Sequence, residues 1–208
     1  MDFPFFKKRK KIKSGYVLLD KGNLKEAERI FRECNYSEGL CLVAKKYVEG
    51  FKYKKAFSIY SEIKDYDGLV KLLEKFFERG NVGEMVQVIK VLNELNGEGV
   101  ILAEKFGDAF LNEEDPKKAE KLFSILDLNR KREKFEKLFD FYLTCRDFSN
   151  AIRIARELGD RDKMITIGYK FLENEDFKMA RKVFEEVDYN EGVGEVDQKE
   201  EEYLSRNN

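Results

Sequence analysis

KGNLKEAERIF, residues 21–31, returns as NEDFKMARKVF at residues 174–184. Aligning the two on Ala27 and Ala180 brings out further copies between them. The same small position recurs at Ala56, Ala119 and Ala151, with Met85 as the one substitution, and the successive spacings are 29, 29, 34, 32 and 29 residues. Four residues after each stands a second packing position: Phe31, Tyr60, Ile89, Phe123, Ala155 and Phe184. Four residues before it stands a helix-capping type in five copies, Asn23, Asn81, Asp115, Asp147 and Asp176, with Lys52 the exception. Such a side chain is expected to accept a hydrogen bond from an orphan N–H of the first helical turn, worth about 1 kcal/mol. Pro116 follows Asp115 directly, where its missing N–H costs nothing and its fixed φ favours a helix start.

Twelve residues upstream of the small positions stand Gly15, Ala44, Leu73, Gly107, Phe139 and Gly168. Three residues further on come Leu18, Tyr47, Phe76, Phe110, Tyr142 and Phe171, all large and mostly aromatic. Each copy therefore reads as two short helices: small–x–x–large, a tight turn, a cap, then small–x–x–x–large. A residue without a side chain lets the neighbouring helix approach, and the large one fills the space beside it.

GYVLLDKGNLKEAERIF (15–31), FGDAFLNEEDPKKAEKLF (106–123) and GYKFLENEDFKMARKVF (168–184) resemble the tetratricopeptide repeat, a helix–turn–helix unit of about 34 residues. The resemblance covers about residues 10–188. Four of the five spacings fall short of that period, the early Trp of the repeat is missing, and so is its closing Pro. The stretch 155–184 is also similar to the short, degenerate repeats of coat and intraflagellar-transport proteins. The resemblance implies an all-α fold, a right-handed α-solenoid of about six helix–turn–helix repeats whose first helices line the concave side. Gly15, Ala27, Phe31, Ala56, Gly107, Ala119, Phe123, Ala151, Gly168, Ala180 and Phe184 are then its structural repeat positions, assigned to packing and to nothing else.

Composition agrees. Charged residues make up 39% of the chain while Pro occurs only at Pro4 and Pro116, a balance of helix formers over breakers that points to helices throughout. Forty basic and 41 acidic residues nearly cancel, so no global field draws the protein onto nucleic acid. Charge collects at the ends instead. KKRKKIK (7–13) holds six basic residues, and residues 185–202 hold nine acidic residues against one Lys. The expected organisation is a basic N-terminal segment over 1–13, a repeat array over 14–188, and an acidic cap or disordered tail over 189–208.

Several chemistries are expected to be absent. Without any His, the commonest general base, the Ser/His/Asp and Cys/His nucleophile arrangements and most transition-metal sites are lost. No phosphate-binding glycine motif precedes a helix in the required context; GVGEV (192–196) lies after the last repeat with no strand before it. Cys34, Cys41 and Cys145 form no C-x-x-C and are odd in number, so they read as buried thiols in a reducing, cytoplasmic compartment rather than as a disulfide framework or zinc site. No apolar run approaches the roughly 20 residues that span a bilayer. The positive charges follow MDFPFF instead of preceding it, which argues against a secretory signal. The reading is of a protein that is not an enzyme, with no catalytic residue, metal, cofactor or small-molecule substrate.

What remains is a surface stripe. On each first helix, the residues six before, one after and five after the upstream small position lie four and seven apart, hence on one face. Over six copies this stripe carries eleven acidic residues against two basic. Its candidate partner-binding residues are Glu38, Asp67, Glu74, Asp108, Glu133, Asp140, Asp162 and Tyr169. Lys13, Lys71, Lys105 and Lys137 lie one turn away and could neutralise it. Left unneutralised, it would steer a basic peptide or a Lys/Arg-rich protein into a groove. The expected function is a protein-interaction scaffold. The alternative is a nucleic-acid or membrane-surface module acting through residues 3–13, with FPFF as an interfacial wedge. An acidic stripe argues against nucleic acid in the groove itself.

Overall fold

A computed structural model describes residues 4–207 of the chain. Among the described residues there are thirteen α-helices and no strand. The chain divides into two compact units, the first ending at Phe106 and the second beginning at Gly107. The first holds α1 (Pro4–Asp20), α2 (Leu24–Glu33), α3 (Ser37–Glu49), α4 (Tyr53–Ile63), α5 (Tyr66–Glu78) and α6 (Val82–Asn96). The division falls within α7 (Gly99–Asn112). The second holds α8 (Pro116–Phe123), α9 (Leu128–Thr144), α10 (Phe148–Leu158), α11 (Arg161–Glu173), α12 (Phe177–Glu186) and α13 (Asn190–Asn207).

Within each unit every helix packs on the next, and first helices also touch across a pair, as α1 does α3, α3 does α5 and α11 does α13. This is the α-solenoid arrangement of repeated helix pairs. Its core is made of the recurrent positions. Ala27, Ala56, Met85, Ala119, Ala151 and Ala180 are fully buried, and Phe31, Tyr60, Ile89, Phe123, Ala155 and Phe184 nearly so or completely. Of the large first-helix positions, Leu18 is only half-buried and its neighbour Leu19 takes the core place; the other five are buried.

The six turns inside the helix pairs are built alike. Before each second helix one residue adopts left-handed φ: Gly22, Phe51, Gly80, Glu114, Arg146 and Glu175. The next residue donates its N–H back to the large first-helix residue, as in Asn23 to Leu18 at 2.9 Å, Asp115 to Phe110 at 2.8 Å and Asp176 to Phe171 at 2.9 Å. These bonds close the exposed carbonyls at the helix C-terminus. The recurrent large residue therefore anchors the turn, and in five copies it also fills the core.

The five expected caps, and Lys52 at the sixth position, all precede second helices, yet they divide in their chemistry. Asp115, Asp147 and Asp176 accept from the N–H three residues on. Asn23 and Asn81 make no such bond, so their expected capping is corrected by the structure, and Lys52 makes none either. Three first helices have aspartate caps that the repeat alignment missed: Asp65, Asp127 and Asp160. The expectation of three buried thiols holds for Cys34 alone, since Cys41 is half-buried and Cys145 exposed.

Residues 7–13 are not separate from the first repeat helix but form the early turns of α1. The wedge expected over residues 3–6 falls partly outside the described residues. At the other end, α13 continues the repeat. Tyr16, Phe31 and Tyr36 pack as three edge-on or tilted rings, with the two hydroxyls 2.8 Å apart. Tyr169, Phe184 and Tyr189 repeat that cluster, with hydroxyls 3.0 Å apart. Helix α13 thus sits on α11 and α12 as α3 sits on α1 and α2.

Candidate functional site

The stripe residues lie on first helices, and their side chains differ in exposure and in partners. In the first unit Glu38, Asp67 and Glu74 are exposed, and none forms an ion pair or side-chain hydrogen bond among the described residues. Of the stripe positions further along, Glu49 pairs with Lys46 and Glu78 with Lys75, each at 2.8 Å, and Asp20 has no ion pair among the described residues. Lys71 does not pair with Asp67 or Glu74. On the second helices, by contrast, Glu26 and Glu33 pair with Arg29, and Glu28 and Glu62 with Arg32. In this unit acidic side chains are thus neutralised by neighbours at some positions, and Glu38, Asp67 and Glu74 are left open.

Part of the stripe borders a cavity of about 420 Å³ between α3 and α5, where Lys45 and Glu49 of one helix meet Asp67 and Lys71 of the other. Its inner wall is Cys41, Tyr60 and Asp65. Asp65 does two things there: it caps α5 by accepting from the Gly68 N–H at 2.9 Å, and it lies 3.1 Å from the Cys41 thiol. Burial first, and then Asp65, push the Cys41 thiol above its ordinary pKa. Burial likewise pushes the Tyr60 hydroxyl up to about 12. A thiol held protonated is a poor nucleophile, so this wall offers polarity and shape rather than covalent chemistry.

In the second unit the expected residues part company. Asp140 and Asp162 are exposed and without an ion-pair partner among the described residues, while exposed Glu133 lies 3.6 Å from Lys137, one of the neutralising lysines expected. Asp108 is engaged by Lys134 at 2.7 Å. Lys134 is the sole charged residue buried among those described, and its ammonium also lies over the Phe123 ring. Tyr169 belongs to the ring cluster of α11, α12 and α13, bonded to Tyr189 and to Glu195 at 2.9 Å. The Tyr189 bond first, then burial, raise its pKa well above the ordinary phenol value. Asp108 and Tyr169 are therefore committed to packing contacts in the free protein.

Sequence reasoning missed the position five residues before the upstream small one. Gly39, Gly68 and Gly192 stand there, and Lys134 in the fifth copy. A Cβ at Gly39 would lie 2.6 Å from the Phe31 ring, and one at Gly68 2.5 Å from that of Tyr60. The signal available was glycine inside a helix pattern, three times at one register.

Among the described residues no group of three or more Cys, Asp and Glu converges as a metal site would, and no helix is long and apolar enough to cross a membrane. No family model and no curated protein matches the chain. Among solved structures it is similar to a tetratricopeptide repeat protein from Parabacteroides merdae ATCC 43184, at 15% identity and a TM-score of 0.34, over 91% of this chain and 96% of that one. It is also similar to a circular tandem repeat protein with novel repeat topology, at 13% identity and a TM-score of 0.15, over 95% of this chain and 44% of that one. At these scores the likeness adds nothing to the helix pairing described above.

Proposed function

We infer that the chain is a non-catalytic scaffold, tetratricopeptide-like in design, that binds a basic segment of a partner protein along its first helices. The observation that carries this reading is the set of exposed carboxylates that have no ion-pair partner among the described residues: Glu38, Asp67 and Glu74 in one unit, Asp140 and Asp162 in the other. Unneutralised like charges on a helical face repel one another, and a Lys/Arg-rich segment relieves that repulsion when it docks. The cavity beside Lys45, Glu49 and Asp67 supplies a recess for one of its side chains.

The test is a charge-reversed protein, Glu38→Lys, Asp67→Lys and Glu74→Lys together, compared with wild type in capture from nuclease-treated lysate. These side chains are exposed, so the variant should stay folded and lose partners whose binding weakens with salt. Retention of every partner by the folded variant would sink the reading.

A second reading rests on α1, where Lys8, Arg9, Lys10 and Lys13 are exposed beside Phe6, which is 63% exposed. It is a contact for nucleic acid or anionic lipid. Reversing Lys8, Arg9 and Lys10 to Glu should then remove bound RNA, DNA or vesicles, and would leave a stripe-bound protein partner in place.

A further inference from the structure

One turn in the first unit breaks two local rules at once. The left-handed residue before each second helix is glycine or charged in five copies, and Phe51 in the other, at φ +57°. A bulky L residue in that region is strained. Its ring is not hidden in compensation, being 73% exposed. The next residue, Lys52, occupies the cap position that Asn or Asp fills in the other copies. It is followed by Lys54 and Lys55 in the first turn of α4, where no acidic residue stands. Cations at a helix N-terminus oppose its dipole. Strain, exposure of an aromatic ring and misplaced charge all act against stability, and together at one turn they mark a place shaped for something else.

The turn also borders a cavity of about 400 Å³. Phe51 stands edge-on to Tyr53 at 6.2 Å, and Tyr53 to Phe76 at 5.6 Å, so the wall is aromatic. Arg79 lies over the Tyr53 ring at 5.4 Å and joins Lys52, Lys54 and Lys55 at the rim. None of these four cations forms a salt bridge among the described residues. Glu84 is the acidic residue in the lining.

We propose that this recess is a second binding site, which takes a short acidic segment of a partner protein with an aromatic or aliphatic anchor between its carboxylates. The anchor stacks on Phe51 and Tyr53, and the carboxylates pair with Lys52, Lys54 and Lys55. The charge balance of the recess selects an anion. Glu84 in the lining selects against an extended nucleic-acid backbone, which needs an unbroken basic track. The site shares no residue with the acidic stripe and carries the opposite charge, so either can fail without the other.

The experiment is fluorescence anisotropy on the full chain with labelled peptides Asp-Glu-X-Glu-Asp, where X is Phe, Leu or Ser, and with an oligothymidylate of about ten nucleotides. The variants are Phe51→Gly, which relieves the left-handed strain, and Lys52→Asp, which installs the missing cap. Both should melt at or above the wild-type temperature. Saturable binding of the Phe or Leu peptide, weaker for Ser and reduced about tenfold or more in each variant, is the expected result. Equal binding by wild type and variants, no saturable peptide binding, or preference for the oligothymidylate overturns the proposal.

Discussion

At the scale of the residue, two helical glycines carry opposite meanings. Gly39 lies under the Phe31 ring, and Gly15 lies on the other first helix that the same ring touches. A methyl group at either would meet a ring carbon at 2.6 Å. That ring is fully buried and held by Tyr16 and Tyr36, so it has little room to move. Gly39→Ala should therefore cost roughly 1–3 kcal/mol by overpacking. Gly83, in α6, has open space where its Cβ would go. Gly83→Ala should instead stabilise by about 0.5–1 kcal/mol, because alanine has less backbone entropy to lose. Urea unfolding of the two variants checks both signs. Glycine in a helix pattern is visible in the sequence; which neighbour it faces is not.

At the scale of the element, capping follows side-chain geometry rather than residue class. Asp176 accepts from the Met179 N–H at 3.1 Å, and Asn23 accepts from nothing in its own first turn. Asp176→Ala should destabilise by about 1 kcal/mol and Asn23→Ala by much less, a contrast that denaturant midpoints resolve. Asp115 adds a titration. The Lys118 ammonium at 2.6 Å, and then the Lys118 N–H, hold its carboxyl below the ordinary value of 3.8 against an opposing push from burial. A depressed carboxylate stabilises the fold fully above its unfolded pKa, and that stability is lost as pH falls through the folded one. The loss should begin as pH drops toward 3.8 and continue below it. Asp115→Asn keeps a capping oxygen without the charge. Its stability should vary less with pH over that acid range, as melting temperatures at successive pH values will show.

At the scale of the molecule, each unit is held by its stacked pairs, and the last helix matters beyond its polar sequence. Val196 of α13 is fully buried, and Gly192 lies against the Phe184 ring. Arg181 of α12 pairs with Asp197 at 2.6 Å and Glu200 at 3.0 Å. Asp197 and Glu200 of α13 stand at the register that Ala44 and Tyr47 hold in α3, so this helix is charged where α3 is apolar. Deleting residues 190–208 uncovers Phe184 and should cost about 2 kcal/mol from that ring alone. Hydrogen exchange should then rise in α11 and α12 and stay unchanged in α1–α4. General destabilisation of the first unit would contradict this.

The sequence by itself determined the helical fold and its repeat. The small and large positions recur at fixed register because the packing of one helix pair on the next recurs, and periodicity survives in a linear string. It also determined which residues share the acidic stripe, since a helix face follows from spacing alone. Only the tertiary structure decided which of those residues are available. Asp108 is held by Lys134, which is 26 positions away, and Tyr169 by Tyr189, which is 20 away. No local pattern records such partners. Likewise Lys52 reads as the exceptional cap of one repeat until Phe51, Tyr53, Phe76 and Arg79 bring α4 and α5 around it. The physical reason is the same in each case: periodicity records what every repeat must bury, and a site is made where one repeat departs from its neighbours.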